Sequence, residues 1–246
     1  MERKNNRQIA HDKIDHIFRD LLPVCGMAER PAQVELSHRM LDAMLDGSIA
    51  LCDAGTGIGK TYAYLVAGAV FRQFRASERL ADQPIVISTS SIALQDAVIH
   101  DYLPFLSRIM MEDGLLDSPL RAVLRKGKSH YVCDARLMRR LQTANLDRKN
   151  PLAKAALLSM RDHLDLDLAP HLSGYDRERI CVPKRCNCRR KDCRYRCFLD
   201  ACQSGQYTVQ ICNHNLLLAD LIHRSQKKKS ILPDLSLIHI SEPTRP

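Results

Sequence analysis

Apolar residues recur at intervals of three and four along the first 46 positions: Ile14, Ile17, Phe18 and Leu21, then Leu36, Met40, Leu41, Met44 and Leu45. That period predicts helices with one buried face. "DG" at 46–47 ends the helical stretch. The pattern then changes. "SIALCDA" (48–54) is a short unbroken apolar run and predicts a buried strand. The glycine loop "GTGIGK" follows, and "TYAYLVAGAVFRQFR" predicts a helix. After "DQP", "IVIS" predicts a second buried strand, with a helix from Ile92 to about Leu106. "RAVLRKGKSHYVC" holds another strand, residues 135–165 read as helical, "QYTVQIC" as a strand and "HNLLLADLIH" as a helix. Strands alternating with helices predict an α/β protein with a parallel sheet flanked by helices. No repeat of fixed period is present.

Composition narrows the class. The chain of 246 residues can bury a core without disulfides. It has no N-terminal apolar segment and no run of eighteen apolar residues, so the expectation is a cytoplasmic protein with no membrane partner. In a reducing compartment its ten cysteines are expected to be metal ligands or free thiols. The net charge is +9. Residues 176–197 hold nine Lys and Arg (177, 179, 184, 185, 189, 190, 191, 194 and 196) against three acidic residues. Concentrated positive charge suits a polyanion such as nucleic acid, although a solvated loop reads the same way.

"AGTGIGKT" (Ala54, Gly55, Thr56, Gly57, Ile58, Gly59, Lys60, Thr61) lies between a strand pattern and a helix pattern. A loop of this kind wraps a triphosphate with backbone N–H groups, aided by the helix dipole. Lys60 is placed to reach the β- and γ-phosphates and Thr61 to bind Mg²⁺. Ala54 stands where the strict pattern has glycine.

The cysteines crowd one region: Cys181, Cys186, Cys188, Cys193 and Cys197, with Cys133 far upstream. Polar, basic neighbours set 181–193 apart from Cys25, Cys52, Cys202 and Cys212, which read as buried small apolar residues. No C-x2-C pair occurs, which disfavours a zinc ribbon, but spacing alone leaves zinc and iron–sulfur both open.

Together, "RPAQ" (30–33), "DAGTGIGKT" (53–61), "VISTSSIALQD" (86–96), "KGKSHYVC" (126–133), the cysteine stretch and "ICNHNLLLAD" (211–220) resemble, in order, the N-terminal part of the DinG/XPD-like iron–sulfur helicases of superfamily 2, bacterial DinG branch. The resemblance implies a RecA-like lobe interrupted by a small, mostly helical iron–sulfur insert. Residues 1–125 would be the N-terminal helices and first part of the lobe, 126–200 the insert and 201–234 the return to the lobe. Gln33 would read adenine. Thr89 and Ser90 would hold single-stranded DNA through its phosphates; "STSS" also reads as a helix cap. Cys133, Cys181 and Cys193 would ligate a [4Fe–4S] cluster, with Cys186 slightly favoured over Cys188 as the fourth ligand and Cys197 a spare. The implied partners are ATP, Mg²⁺ and single-stranded or forked DNA, and the implied state is a monomer unwinding DNA 5′→3′ in repair or replication.

The family's D-E-A-H box is expected soon after 220, yet the sequence contains no Asp-Glu dipeptide. The stretch 235–246 resembles translated sequencing adapter. The expectation is therefore a fragment cut before the second RecA-like lobe, with a non-native tail and little activity alone. Two other readings stay open: a non-enzymatic, redox-sensitive DNA-binding module, and a P-loop kinase with a zinc insert.

Overall fold

The computed structural model describes residues 2–78, 83–143, 151–186, 188, 190–233 and 237–241. In chain order the elements are α1 (Glu2–His16), a π turn (Ile17–Leu21), α2 (Leu22–Val24), α3 (Pro31–Leu45), α4 (Lys60–Ser77), β1 (Ile85–Thr89), α5 (Ile92–Ala97), a π turn (Val98–Tyr102), α6 (Leu103–Glu112) and β2 (Ala122–Arg125). Then come α7 (Asp134–Thr143), α8 (Pro151–Ser159), α9 (Gly174–Ile180), α10 (Arg194–Gln203), β3 (Val209–Cys212), α11 (His214–Ser225) and β4 (Leu237–Ser241). No helix among the described residues is long and apolar enough to cross a membrane.

The chain divides into two compact units, 1–125 with 205–246, and 126–204. The first is α/β. Its parallel sheet has the strand order β2-β3-β1-β4. Parallel neighbours need long crossovers, and here α5 with α6, residues 126–208, and α11 supply them. β1 and β3 are buried along their whole length, which accounts for Ile85, Val86, Ile87, Val209 and Ile211, while Ser88, Thr89 and Gln210 are polar side chains buried with them. Ile14, Ile17 and Phe18, Val66 and Val70 of α4, and Leu103, Leu106 and Met110 of α6 share one core with Ile87 of β1. β4 falls in the stretch expected to be a non-native tail, and it pairs Leu237–Ser241 in register with Ile85–Thr89. Residues 235–236 and 242–246 of that stretch lie outside the described residues.

Two expectations fail in this unit. Residues 48–54 form no strand: Ile49 and Leu51 are 95% and 98% exposed. A strand forms only where a neighbour takes up its N–H and C=O groups, and these residues join none of the sheet's ladders. Cys25 and Cys52 are exposed for the same kind of reason, Cys25 at a helix end and Cys52 in this unpaired segment. Cys202 and Cys212 are buried as expected.

Polar contacts tie the helices together. The side chains of Asp15, His38, His11 and Asp42 form one chain between α1 and α3, in which the two imidazole Nδ1 atoms meet at 2.8 Å, so one ring donates and the other accepts. His16 bonds Asp20 at 2.8 Å and Asp113 at 3.0 Å. These carboxylates raise its pKa above the ordinary 6.5, Asp20 most. A raised value means the contribution to stability is complete below pH 6.5 and fades as pH rises through the folded-state value. His16→Gln is therefore expected to flatten the decline in Tm above that pH, measured by calorimetry across neutrality against the parent chain.

The second unit is mostly helical. Val132, Leu137, Leu157, Met160, Leu166 and Ile180 make its core, and Tyr131, Cys133 and Val182 a smaller one. Single antiparallel bridges join Tyr131 to Asp165 and Val132 to Cys181. Lys126 binds both Asp165, at 2.6 Å, and Asp167, at 2.8 Å. Where one helix was expected over 135–165, α7 and α8 appear, with 144–150 outside the described residues. The acidic "DHLDLDL" part (162–168) turns instead, because Asp165 caps a 3₁₀ turn at Leu166–Leu168.

Candidate nucleotide loop and cysteine cluster

The glycine loop runs into α4, and Gly59 caps that helix in the left-handed region, φ 86°. Gly57 is also left-handed, φ 81°. Only glycine takes these angles without strain. Two residues of "ERPAQ" hold the loop from α3. Arg30 Nη1 donates to the Gly57 carbonyl at 2.6 Å, and Gln33 Nε2 donates to the Gly59 carbonyl at 2.6 Å. Pro31 opens α3 at its first position, where a missing N–H costs nothing. Gln33 is thus buried and fastened to the loop. Lys60 Nζ folds back to the Ala54 carbonyl at 2.9 Å. Burial pushes the phenol of Tyr64, one turn into α4, up to about 12. Gly55, Thr56 and Gly57 are exposed, Ile58 half-buried, and Ala54 buried.

At the C-terminal edge of the sheet, Thr89 is fully buried and Ser90 exposed. The cap of α5 is neither of them: Ser91 Oγ accepts the Leu94 N–H at 3.2 Å, and Thr89 Oγ1 accepts the Ser91 N–H at 3.2 Å. Ser88 and Cys212 pair across β1 and β3, and Ser88 Oγ meets His214 Nδ1 at 2.6 Å. Burial pushes the Cys212 thiol up to about 11, so it stays protonated. Arg125 ends β2 in the buried interior, donating to Gln210 at 2.7 Å and to the Ile231 carbonyl at 2.9 Å.

In the second unit the backbone gathers distant cysteines. The Cys133 N–H donates to the Ile180 carbonyl at 2.8 Å, beside the Val132–Cys181 bridge. Asp134 accepts the Arg194 N–H at 2.9 Å and its guanidinium at 2.7 Å, which draws Cys193 toward the residue after Cys133. The Cys193 thiol is raised, chiefly by burial, and it feels the nearby Cys188. Cys186 and Cys197 are exposed. Arg136 donates to the Cys181 carbonyl at 2.8 Å. Soft thiolates in basic surroundings have the chemistry to hold zinc or an iron–sulfur cluster. The side-chain geometry is not closed: among the described residues, no three Cys, His, Asp or Glu side chains converge on one metal position.

No family model matches the chain. Its curated relatives are consistent with one another. Over 226 residues it is 26% identical to "ATP-dependent DNA helicase YoaA" of Escherichia coli, covering 88% of this chain and 33% of that protein. It is 27% identical over 239 residues to "ATP-dependent helicase DinG" of Mycobacterium tuberculosis, covering 88% of this chain and 34% of that one.

The chain is similar to the DinG-like helicases.

A Bacillus subtilis relative named "3'-5' exonuclease DinG" is 31% identical over 139 residues, 56% of this chain and 13% of that protein. The chain spans about a third or less of the length of these relatives. Within this DinG-like chain, sequence reasoning missed Arg30, Asp134 and Arg194. Arg30 stood directly before "PAQ" and was readable as a second loop contact. Asp134 and Arg194 lie 60 positions apart, and only the fold brings them together.

Proposed function

We propose that the chain is the nucleotide-binding part of an ATP-dependent DNA helicase of the DinG type, which moves 5′→3′ on single-stranded or forked DNA in repair or replication. The observation that carries this reading is the glycine loop, pinned by Arg30 and Gln33 at the start of α4. The backbone N–H groups of a glycine loop that enters a helix N-terminus suit a triphosphate. Lys60 would leave the Ala54 carbonyl to meet the β- and γ-phosphates. Gln33, at the edge of the loop, would meet the adenine. Thr61 would carry Mg²⁺, which when bound neutralises phosphate charge. Thr89 and Ser90 lie at the C-terminal ends of parallel strands, where ligands of such sheets bind, and exposed Ser90 is the better placed of the two for a DNA phosphate.

Cys133, Cys181 and Cys193 would hold a [4Fe–4S] cluster, with Cys186, or Cys188 in its place, as the fourth ligand. When bound, such a cluster cross-links chain segments. A unit of this size with two small cores gains from that kind of staple. Hydrolysis and unwinding belong to the whole protein, and this chain alone is proposed to bind without turning over.

The test uses one oxygen-free preparation of the chain. It is expected to hold about four iron and four sulfide per chain and to bind a fluorescent ATP analogue, with Lys60→Ala weakening that binding at least about tenfold. Zinc without iron would move the reading to a zinc-stapled P-loop protein. Unaltered nucleotide binding by Lys60→Ala would remove the nucleotide-loop assignment.

A further inference from the structure

The chain's net positive charge is confined to one unit. Residues 126–204 contain eighteen Lys and Arg against nine Asp and Glu, so they carry the whole +9, and the rest of the chain is neutral. On this unit one aromatic ring stands out. Tyr175, in α9, is 58% exposed. The Arg179 guanidinium carbon lies 4.4 Å from the ring centroid, and that of Arg140 lies 5.3 Å from it. Arg140 is held in place: its Nε donates to Asp176 at 2.6 Å, and Asp176 is buried and accepts the Ser173 hydroxyl at 2.7 Å. Two guanidinium groups thus lie over the ring, that of Arg140 anchored by Asp176, while Tyr175 keeps more than half of its surface in solvent.

A phenol left in water beside two arginines gains little for folding. Its chemistry suits a flat, electron-rich ligand on an anionic backbone. From this geometry we infer that Tyr175, flanked by Arg140 and Arg179, is a stacking platform for a base of single-stranded nucleic acid. Aromatic side chains stack any base, and the guanidinium groups add cation–π attraction and charge, so the site would bind without reading sequence. This inference rests on the DNA-binding reading above and names one place on the insert where a base is held.

The chain contains no tryptophan, so Tyr175→Trp places a single reporter at the site. Its emission is expected to be quenched by oligo(dT) and left unchanged by an abasic oligomer of equal length and charge. Tyr175→Ala is expected to weaken oligo(dT) binding about tenfold, to leave abasic binding as it was, and to keep the slope of affinity against salt, because no phosphate contact is lost. Equal losses for both oligomers, or binding without quenching, would overturn the platform while leaving DNA binding standing. If neither oligomer binds the parent chain, the DNA-binding reading and the platform fall together.

Discussion

Asp220→Ala is expected to destabilise the folded chain by about 3–5 kcal/mol. Asp220 is fully buried in α11 and bonds Arg224 Nε at 2.7 Å. Its other oxygen accepts the N–H groups of Ile231 at 2.6 Å and Leu232 at 2.9 Å. Arg224 in turn donates to the carbonyls of Leu232 and Pro233, at 2.9 and 2.7 Å, and Arg125 to that of Ile231. One carboxylate thus organises the whole backbone of 231–233, the segment leading toward β4. Removing it strands two N–H groups and leaves Arg224 without its ion pair, and each stranded group costs about 1–3 kcal/mol. Asp220→Asn keeps an acceptor and is expected to lose less. Urea unfolding reads both: the midpoint should fall with the slope unchanged. A parent-like midpoint for Asp220→Ala would mean that the clamp does not hold this segment in solution.

Gly59→Ala is expected to be the most damaging single-methyl change in the nucleotide loop. At φ 86° an alanine pays about 1–2 kcal/mol for a left-handed backbone. Its Cβ would also fall on the Gln33 amide, so the side chain that braces the loop has to move. Gly57 makes a useful control, because it is equally left-handed but a Cβ there meets open space. The expected pattern is a similar drop in Tm from backbone strain at both positions, with a further drop and weaker binding of an ATP analogue only for Gly59→Ala. Equal behaviour of the two variants would show that Gln33 does not brace the loop.

Much of this was legible in the sequence, for identifiable reasons. β1 announced itself as an apolar run, β3 as a short β-branched stretch, and α4 as a helix, because local pattern and tertiary burial agree there. The glycine loop was legible because residues 57 and 59 need angles that few side chains tolerate. The segment 48–54 misled because an apolar run states only that burial is favourable, and a strand also needs a neighbour. The π turns at Ile17–Leu21 and Val98–Tyr102 were not legible, because a single wider turn is too short to register in an apolar period. The Asp134–Arg194 pair depends on chain geometry across 60 residues, and no local signal encodes it.

β2 and β3 lie side by side, yet the whole of residues 126–208 separates them along the chain. The other pairings, β1 with β3 and β1 with β4, span still more chain, so no strand pair of this sheet forms without closing a long loop. Closing so long a loop is slow when the intervening chain is expanded and faster once it has collapsed. The state of the cysteine-rich unit should consequently register in the time the other unit takes to refold, even where neither the final sheet nor its stability changes.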